Sequence, residues 1–162
     1  LEEALCRSQA DRRGRTLGRG SLRADYEGSQ ARCRLTTKEG GVVLDTGVFI
    51  GMDRRDRRIV ALMKLYVERR TPMITSAGVI AQVWRSGAGS QTAVSLVLQR
   101  ARVFDLTHRV ARAVGLMLGA SRTRDAIDAH VAYLAAGHDF TVLTSDPDDL
   151  LRIVPTLRVE RV

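Results

Sequence analysis

Short apolar runs that alternate with amphipathic stretches constrain the fold of this chain more than any other feature. Val42-Val43-Leu44 is an unbroken apolar run beside glycines, which is typical of a strand buried on both faces of a parallel sheet. The pattern predicts strands over residues 42–46, 72–75, 103–106, 140–144 and 157–161. It predicts helices around residues 59–67, 76–84, 91–102, 107–117, 124–136 and 148–153. The alternation indicates an α/β domain with a mainly parallel central sheet and helices on both faces.

The length of 162 residues suits one domain with a substantial core. Residues 1–40 are rich in Arg, Gly and Ser and have no hydrophobic period, so we predict a poorly ordered, basic N-terminal extension. The domain itself is predicted over residues 41–162. No apolar run is long enough to cross a bilayer, and we therefore expect a soluble, cytoplasmic protein without a membrane partner.

A formal charge of +8 favours an anionic partner, and nucleic acid in particular. The alternative is an arginine-rich composition that has no binding role. A basic segment after the first strand could reach phosphates, and Asp53 and Asp56 within it leave open a solvated helix start instead. The candidate RNA-binding residues in this segment are Arg54, Arg55, Arg57 and Arg58.

Acidic residues stand where two predicted strands end. Asp45 follows the first strand and Asp146 follows the strand at 140–144, and parallel strands bring such residues to one edge of the sheet. Asp128 lies at the edge of the buried face of the intervening helix, with Asp125 farther out. Crowded carboxylates repel one another unless a cation lies among them, and oxygen ligands prefer Mg²⁺ or Mn²⁺. Asp148 and Asp149 are interpreted as partners of a helix dipole.

Three segments around these acids resemble the motifs of PIN-domain nucleases, including the VapC-type toxins of toxin–antitoxin pairs. They are Val43-Leu44-Asp45-Thr46, Asp128-Ala129-His130-Val131-Ala132 and Leu143-Thr144-Ser145-Asp146. The resemblance implies a three-layer α/β/α domain that hydrolyses RNA phosphodiester bonds with Mg²⁺ or Mn²⁺. It also implies a small antitoxin partner and a homodimer.

The same resemblance assigns roles to particular residues. Asp45, Asp128 and Asp146 are the expected catalytic and metal-binding acids, and Asp125 is a candidate for an additional ligand. Thr46 and Ser145 are expected to support a water molecule or a phosphate by hydrogen bonding.

Gln82 stands where the family usually has a glutamate. An amide offers an oxygen but no charge, so a second hypothesis is a catalytically impaired PIN-like module that binds RNA or protein. The three histidines are not spaced as a ligand pair, and we interpret each as a helix-surface or turn residue.

Overall fold

The computed structural model describes residues 40–84 and 91–162. The strands in these residues are β1 (Val42–Leu44), β2 (Met73–Ser76), β3 (Ala101–Phe104), β4 (Thr141–Thr144) and β5 (Val159–Arg161). The helices are α1 (Thr46–Asp53), α2 (Arg57–Glu68), α3 (Ala77–Val83), α4 (Gln91–Leu98), α5 (His108–Ser121), α6 (Ala126–His138) and α7 (Pro147–Ile153). None of these described helices is both long and apolar enough to cross a lipid bilayer.

The five strands form one parallel sheet with the order β3-β2-β1-β4-β5. Val43 in the central strand β1 pairs with Ile74 of β2 and Val142 of β4, and all three side chains are fully buried. Removing such a side chain from water stabilises the fold by about 2 kcal/mol. The predicted α/β/α fold with a mainly parallel sheet is confirmed.

Short polar side chains mark the start of several helices. Ser76 accepts a hydrogen bond from the backbone N–H of Gly78, and Thr107 accepts one from Val110. Asp56 and Asp125 cap α2 and α6 in the same way, each with two accepted backbone N–H groups. These caps satisfy donors that have no partner inside a helix, so the sequence itself sets where the helices begin.

Helix α6 forms the centre of one helical layer. Every residue from Ala129 to Ala135 is buried. The helix packs on β1, β2 and β4 and also contacts α3, α5 and α7. Helix α1 contacts α2, α3 and α4. The helix that carries Asp128 is therefore held rigidly against the middle of the sheet.

The structure corrects several predicted boundaries. Residues 46–53 form helix α1, whereas the sequence predicted no helix before residue 59. Thr46, Gly47 and the apolar Val48-Phe49-Ile50 hide this helix because they show no helical period. Strand β3 covers 101–104 instead of 103–106, the helix before it ends at Leu98, and α5 continues to Ser121. Residues 1–39 of the predicted extension lie outside the described residues.

The order of the strands explains where a ligand can bind. The chain proceeds from β1 to β2 and β3 on one side and then crosses to β4 on the other side of β1. The connections leaving β1 and β4 therefore diverge, which opens a crevice at the carboxyl ends of these two strands. Asp45 and Asp146 follow those two ends.

Candidate functional site

Asp45 lies at the carboxyl end of β1, at the position before helix α1 begins. Its backbone is extended, and its N–H donates to the carbonyl of Leu143 at 3.1 Å, which continues the pairing of β1 with β4. The carboxylate makes no capping hydrogen bond to α1, although only 8% of the residue is exposed. A buried carboxylate that leaves its helix uncapped is available for another interaction.

A chain of hydrogen bonds joins Asp45 to the end of β4. The hydroxyl of Thr144 lies 2.6 Å from Asp45 Oδ2 and 3.0 Å from the backbone nitrogen of Asp146. The other carboxylate oxygen, Asp45 Oδ1, is buried and has no hydrogen-bond partner among the described residues. Asp146 occupies the N-cap position of α7, and its side chain makes no capping hydrogen bond either. The sequence analysis did not select Thr144, although it precedes Ser145 and Asp146 directly.

Asp128 lies in the first turn of α6 and is half-buried. Burial, and after it the charges of nearby carboxylates, raise the pKa of Asp128 from its ordinary value of 3.8 to about 7. Those carboxylates, in order of effect, belong to Asp125, Asp45, Asp149 and Asp146. The three predicted catalytic acids therefore share one electrostatic environment at this edge of the sheet.

Asp125 and Asp149 both lie near Asp128, and each makes a further interaction of its own. Asp125 Oδ1 accepts the N–H groups of Ile127 and Asp128 at 2.8 and 3.0 Å, so one oxygen is committed to capping α6. Asp149 was interpreted as a partner of the helix dipole, and its charge also raises the pKa of Asp128. Asp149 also forms an exposed ion pair with Arg152 at 3.3 Å. The spacing on α7 gave no signal for this proximity, because it depends on how α7 packs against α6.

The three predicted supporting residues lie beside the acids. The Thr46 hydroxyl donates to Oε1 of Gln82, which brings α3 to the start of α1. A Cβ atom added to Gly47 would lie 2.6 Å from Ser145 Oγ and 2.9 Å from the Ser145 backbone nitrogen. Gly47 thus permits the turn after β4 to approach α1 closely. Gln82 and Ser145 both border the crevice at the end of β1.

Among the predicted RNA-binding arginines, Arg54 and Arg55 follow the carboxyl end of α1, and Arg57 and Arg58 are the first residues of α2. Eight residues of helix separate Arg54 from Asp45, which corresponds to about 12 Å at 1.5 Å per residue. All four side chains are exposed, and Asp56 between them caps α2. They form an exposed basic surface beyond the far end of α1 and are not part of the crevice: Arg54, Arg55, Arg57 and Arg58.

The interpretation of His130 as a surface or turn residue is wrong. His130 is 1% exposed, and its Nδ1 lies 2.8 Å from the hydroxyl of Ser76. Burial lowers its pKa to about 4, so the ring is neutral at physiological pH. The prediction failed because α6 is buried on all sides, and an apolar stripe does not reveal that. The pair Ser76–His130 connects the start of α3 to α6.

The acids meet the chemical requirements of a hard divalent cation. Asp45 Oδ1 is a buried oxygen without a partner in the described residues, and a cation would offset the repulsion that raises the Asp128 pKa. No group of three or more Asp, Glu, His or Cys residues within 40–84 and 91–162 is arranged to hold a metal ion. Mg²⁺ usually keeps several water ligands and needs only one or two carboxylates from the protein, so two of these acids would be enough to hold it.

The sequence profile of the PIN domain matches residues 42–154, which include every acid of the site. The chain belongs to the PIN domain family. A search of curated proteins gives no match.

Similar solved structures support the same fold of the PIN domain. One is a chain of VapBC2 from Rickettsia felis bound to a promoter DNA fragment, with 17% identity and a TM-score of 0.60. The similarity covers 75% of this chain and 98% of that chain. FitAB bound to the IR36 DNA fragment gives 19% identity and a TM-score of 0.56 over 74% and 94% of the two chains. FitAcB from Neisseria gonorrhoeae gives 19% identity and a TM-score of 0.55, and the similarity covers 73% of this chain and 95% of that chain. The resemblance inferred from the sequence is confirmed.

Proposed function

We propose that this PIN domain is a divalent-metal-dependent endoribonuclease. One observation carries the proposal: the charges of Asp45 at the end of β1 and Asp146 at the end of β4 raise the pKa of Asp128 in the first turn of α6. A family whose members are typically nucleases agrees with this arrangement. The resemblance to VapC-type toxins extends the proposal to the toxin of a toxin–antitoxin pair.

Each side chain of the site has a defined task in this proposal. Asp45 and Asp146 hold the cation, with Asp45 Oδ1 as the oxygen that has no other partner. Asp128 would face the cation and would be ionised beside it, because the cation would offset the neighbouring negative charges. Thr46 and Ser145 orient a water molecule or a phosphate oxygen through their hydroxyls. When bound, Mg²⁺ or Mn²⁺ would supply Lewis-acid chemistry that activates water near neutral pH and offsets charge on the leaving oxygen.

The exposed arginines after α1 bind RNA phosphates in this proposal. They contribute affinity and position and carry no base specificity. Replacing Arg54 and Arg55 together by Ala should weaken RNA binding and reduce the dependence of log K on log salt by up to about two phosphate contacts. An unchanged salt dependence would place the RNA elsewhere on the surface.

Cleavage of a panel of RNAs tests the central proposal. The protein should cleave RNA with Mg²⁺ or Mn²⁺ and lose this activity in EDTA, and Asp45→Asn should abolish cleavage. Asp139→Asn is the matched control, since Asp139 is an exposed aspartate at the other end of α6 and should tolerate the change. Full activity of Asp45→Asn in a preparation free of other nucleases would refute the metal-dependent mechanism.

A second candidate function is a PIN-like module that binds RNA or protein without cleaving it. Gln82 favours this candidate, because an uncharged amide contacts Thr46 where the family usually supplies a glutamate. RNA binding that persists in EDTA, together with no cleavage under any divalent cation, would support the module. Cleavage that chelator removes would reject it.

The resemblance to VapC-type toxins also suggests the partners, which are a small antitoxin protein and a second copy of this chain. Light scattering coupled to size-exclusion chromatography tests the homodimer directly. A monomer at every concentration would refute it and would leave the nuclease proposal unaffected.

A further inference from the structure

Thr144 is a fully buried polar residue at the carboxyl end of β4. It lies in the sheet between β1 and β5. A buried hydroxyl costs free energy unless its hydrogen bonds are made. Valine has nearly the same shape and would fill this position without that cost. The presence of a hydroxyl therefore needs an explanation in terms of its partners.

The direction of the two hydrogen bonds of Thr144 follows from simple chemistry. The backbone nitrogen of Asp146 can only donate, so Thr144 Oγ1 accepts at 3.0 Å. The single hydroxyl proton is then left for Asp45 Oδ2, which lies at 2.6 Å, a separation typical of a donor to an ionised carboxylate. The two strand-end acids are thus connected through one side chain.

The consequence is an asymmetric Asp45 carboxylate. Oδ2 is engaged by Thr144, whereas Oδ1 is buried without a hydrogen-bond partner in the described residues. Rotating the carboxylate to exchange the two oxygens would break the short bond to Thr144. We propose that Thr144 is a positioning residue that presents Oδ1 of Asp45 to the cation and holds the backbone of Asp146 beside it. This inference rests on the proposed metal-dependent function.

Two matched pairs of variants isolate the hydroxyl from the packing of the side chain. Thr144→Val retains the volume of the native residue and removes the hydroxyl. Thr144→Ala and Thr144→Ser both lack the methyl group and differ from each other only in the hydroxyl. An effect of the hydroxyl must therefore appear twice: as a difference between Thr144→Val and the native chain, and as a difference between Thr144→Ala and Thr144→Ser. If Thr144→Val fails to fold, the comparison of Ala with Ser still decides.

Two readouts are needed, and neither is cleavage activity. Amide hydrogen exchange by NMR in EDTA reports the Asp146 N–H, which should exchange about tenfold faster in Val and Ala than in the native chain and Ser. Calorimetric titration with Mn²⁺ alone should show affinity about tenfold weaker in Val and Ala, with Ser within about twofold of the native chain.

The proposal would be overturned if Mn²⁺ affinity were equal within each pair, the native chain with Thr144→Val and Thr144→Ser with Thr144→Ala. It would also be overturned if the exchange rate of the Asp146 N–H were the same with and without the hydroxyl. A Ser variant as weak as Ala would also overturn it, since the methyl group would then be the important part. If the native chain binds no Mn²⁺, the proposed function fails. Asp146 exchange together with the ¹³C shift of the Asp45 carboxyl carbon would still show whether Thr144 holds the two acids.

Discussion

Replacing Asp128 by Asn should stabilise the metal-free protein at alkaline pH. The pKa of Asp128 is raised from 3.8 to about 7, chiefly by burial and then by the surrounding carboxylates. Between these two values the folded protein binds more protons than the unfolded chain, so the stability contributed by protonated Asp128 is present at low pH. That stability is lost as the pH rises through 7. Asparagine has a similar shape and no charge to desolvate.

The size of the effect follows from the shift of about three pH units. At 1.36 kcal/mol per unit the limit is about 4 kcal/mol, and screening by water at this partly exposed side chain reduces it to about 1–3 kcal/mol. Urea unfolding in EDTA should show this gain near pH 8.5. Near pH 4.5 the gain should fall by more than half, because Asp128 is then protonated in the folded protein.

Asp148→Asn is the matched control for this prediction. Asp148 is an exposed acid in the first turn of α7 and is not among the groups that raise the Asp128 pKa. Its removal should cost a few tenths of a kcal/mol through the helix dipole. A gain in Asp128→Asn that is equal at both pH values would refute the electrostatic reasoning and point to packing. A loss of stability near pH 8.5 would refute it as well.

Three further changes test the surroundings of the acids. Gln82→Glu should tighten Mn²⁺ binding about tenfold, or about 1.4 kcal/mol, and destabilise the metal-free protein at neutral pH, because it adds a carboxylate beside the acids. If calorimetric titration and melting curves both stay unchanged, Gln82 is not part of the site. Gly47→Ala should cost about 1–3 kcal/mol in urea unfolding, because its Cβ would meet the backbone nitrogen of Ser145 at 2.9 Å; wild-type stability would contradict the close approach. Ser76→Ala should lower the free energy of unfolding by about 1–3 kcal/mol, because it removes a helix cap and the partner of His130. Ser76→Thr should retain most of the stability, and equal losses in both variants would reject the role of the hydroxyl.

Several elements could be read directly from local sequence. β1 and β4 are short apolar runs, and only an interior parallel strand tolerates apolar residues on both faces. Ser76 and Thr107 are the first residues of two predicted helix ranges, and both are caps because a short side-chain oxygen can satisfy a helix N–H locally. Helix α1 was not predicted, since Val48 and Phe49 are buried in a segment that has no helical period. A helix is recognised from local sequence when one face is apolar and the other polar, and α1 lacks that contrast.

The sequence by itself determined the parallel sheet and the placement of Asp45 and Asp146 at strand ends, because both follow from the order of apolar and polar residues along the chain. Only the tertiary structure decided which groups meet. Thr144 bonds to a carboxylate 99 positions away, and Gln82 meets Thr46 across 36 positions. These contacts depend on the pairing of β1 with β4 and on the packing of α3 against α1, and such long-range geometry leaves no periodic trace in the sequence.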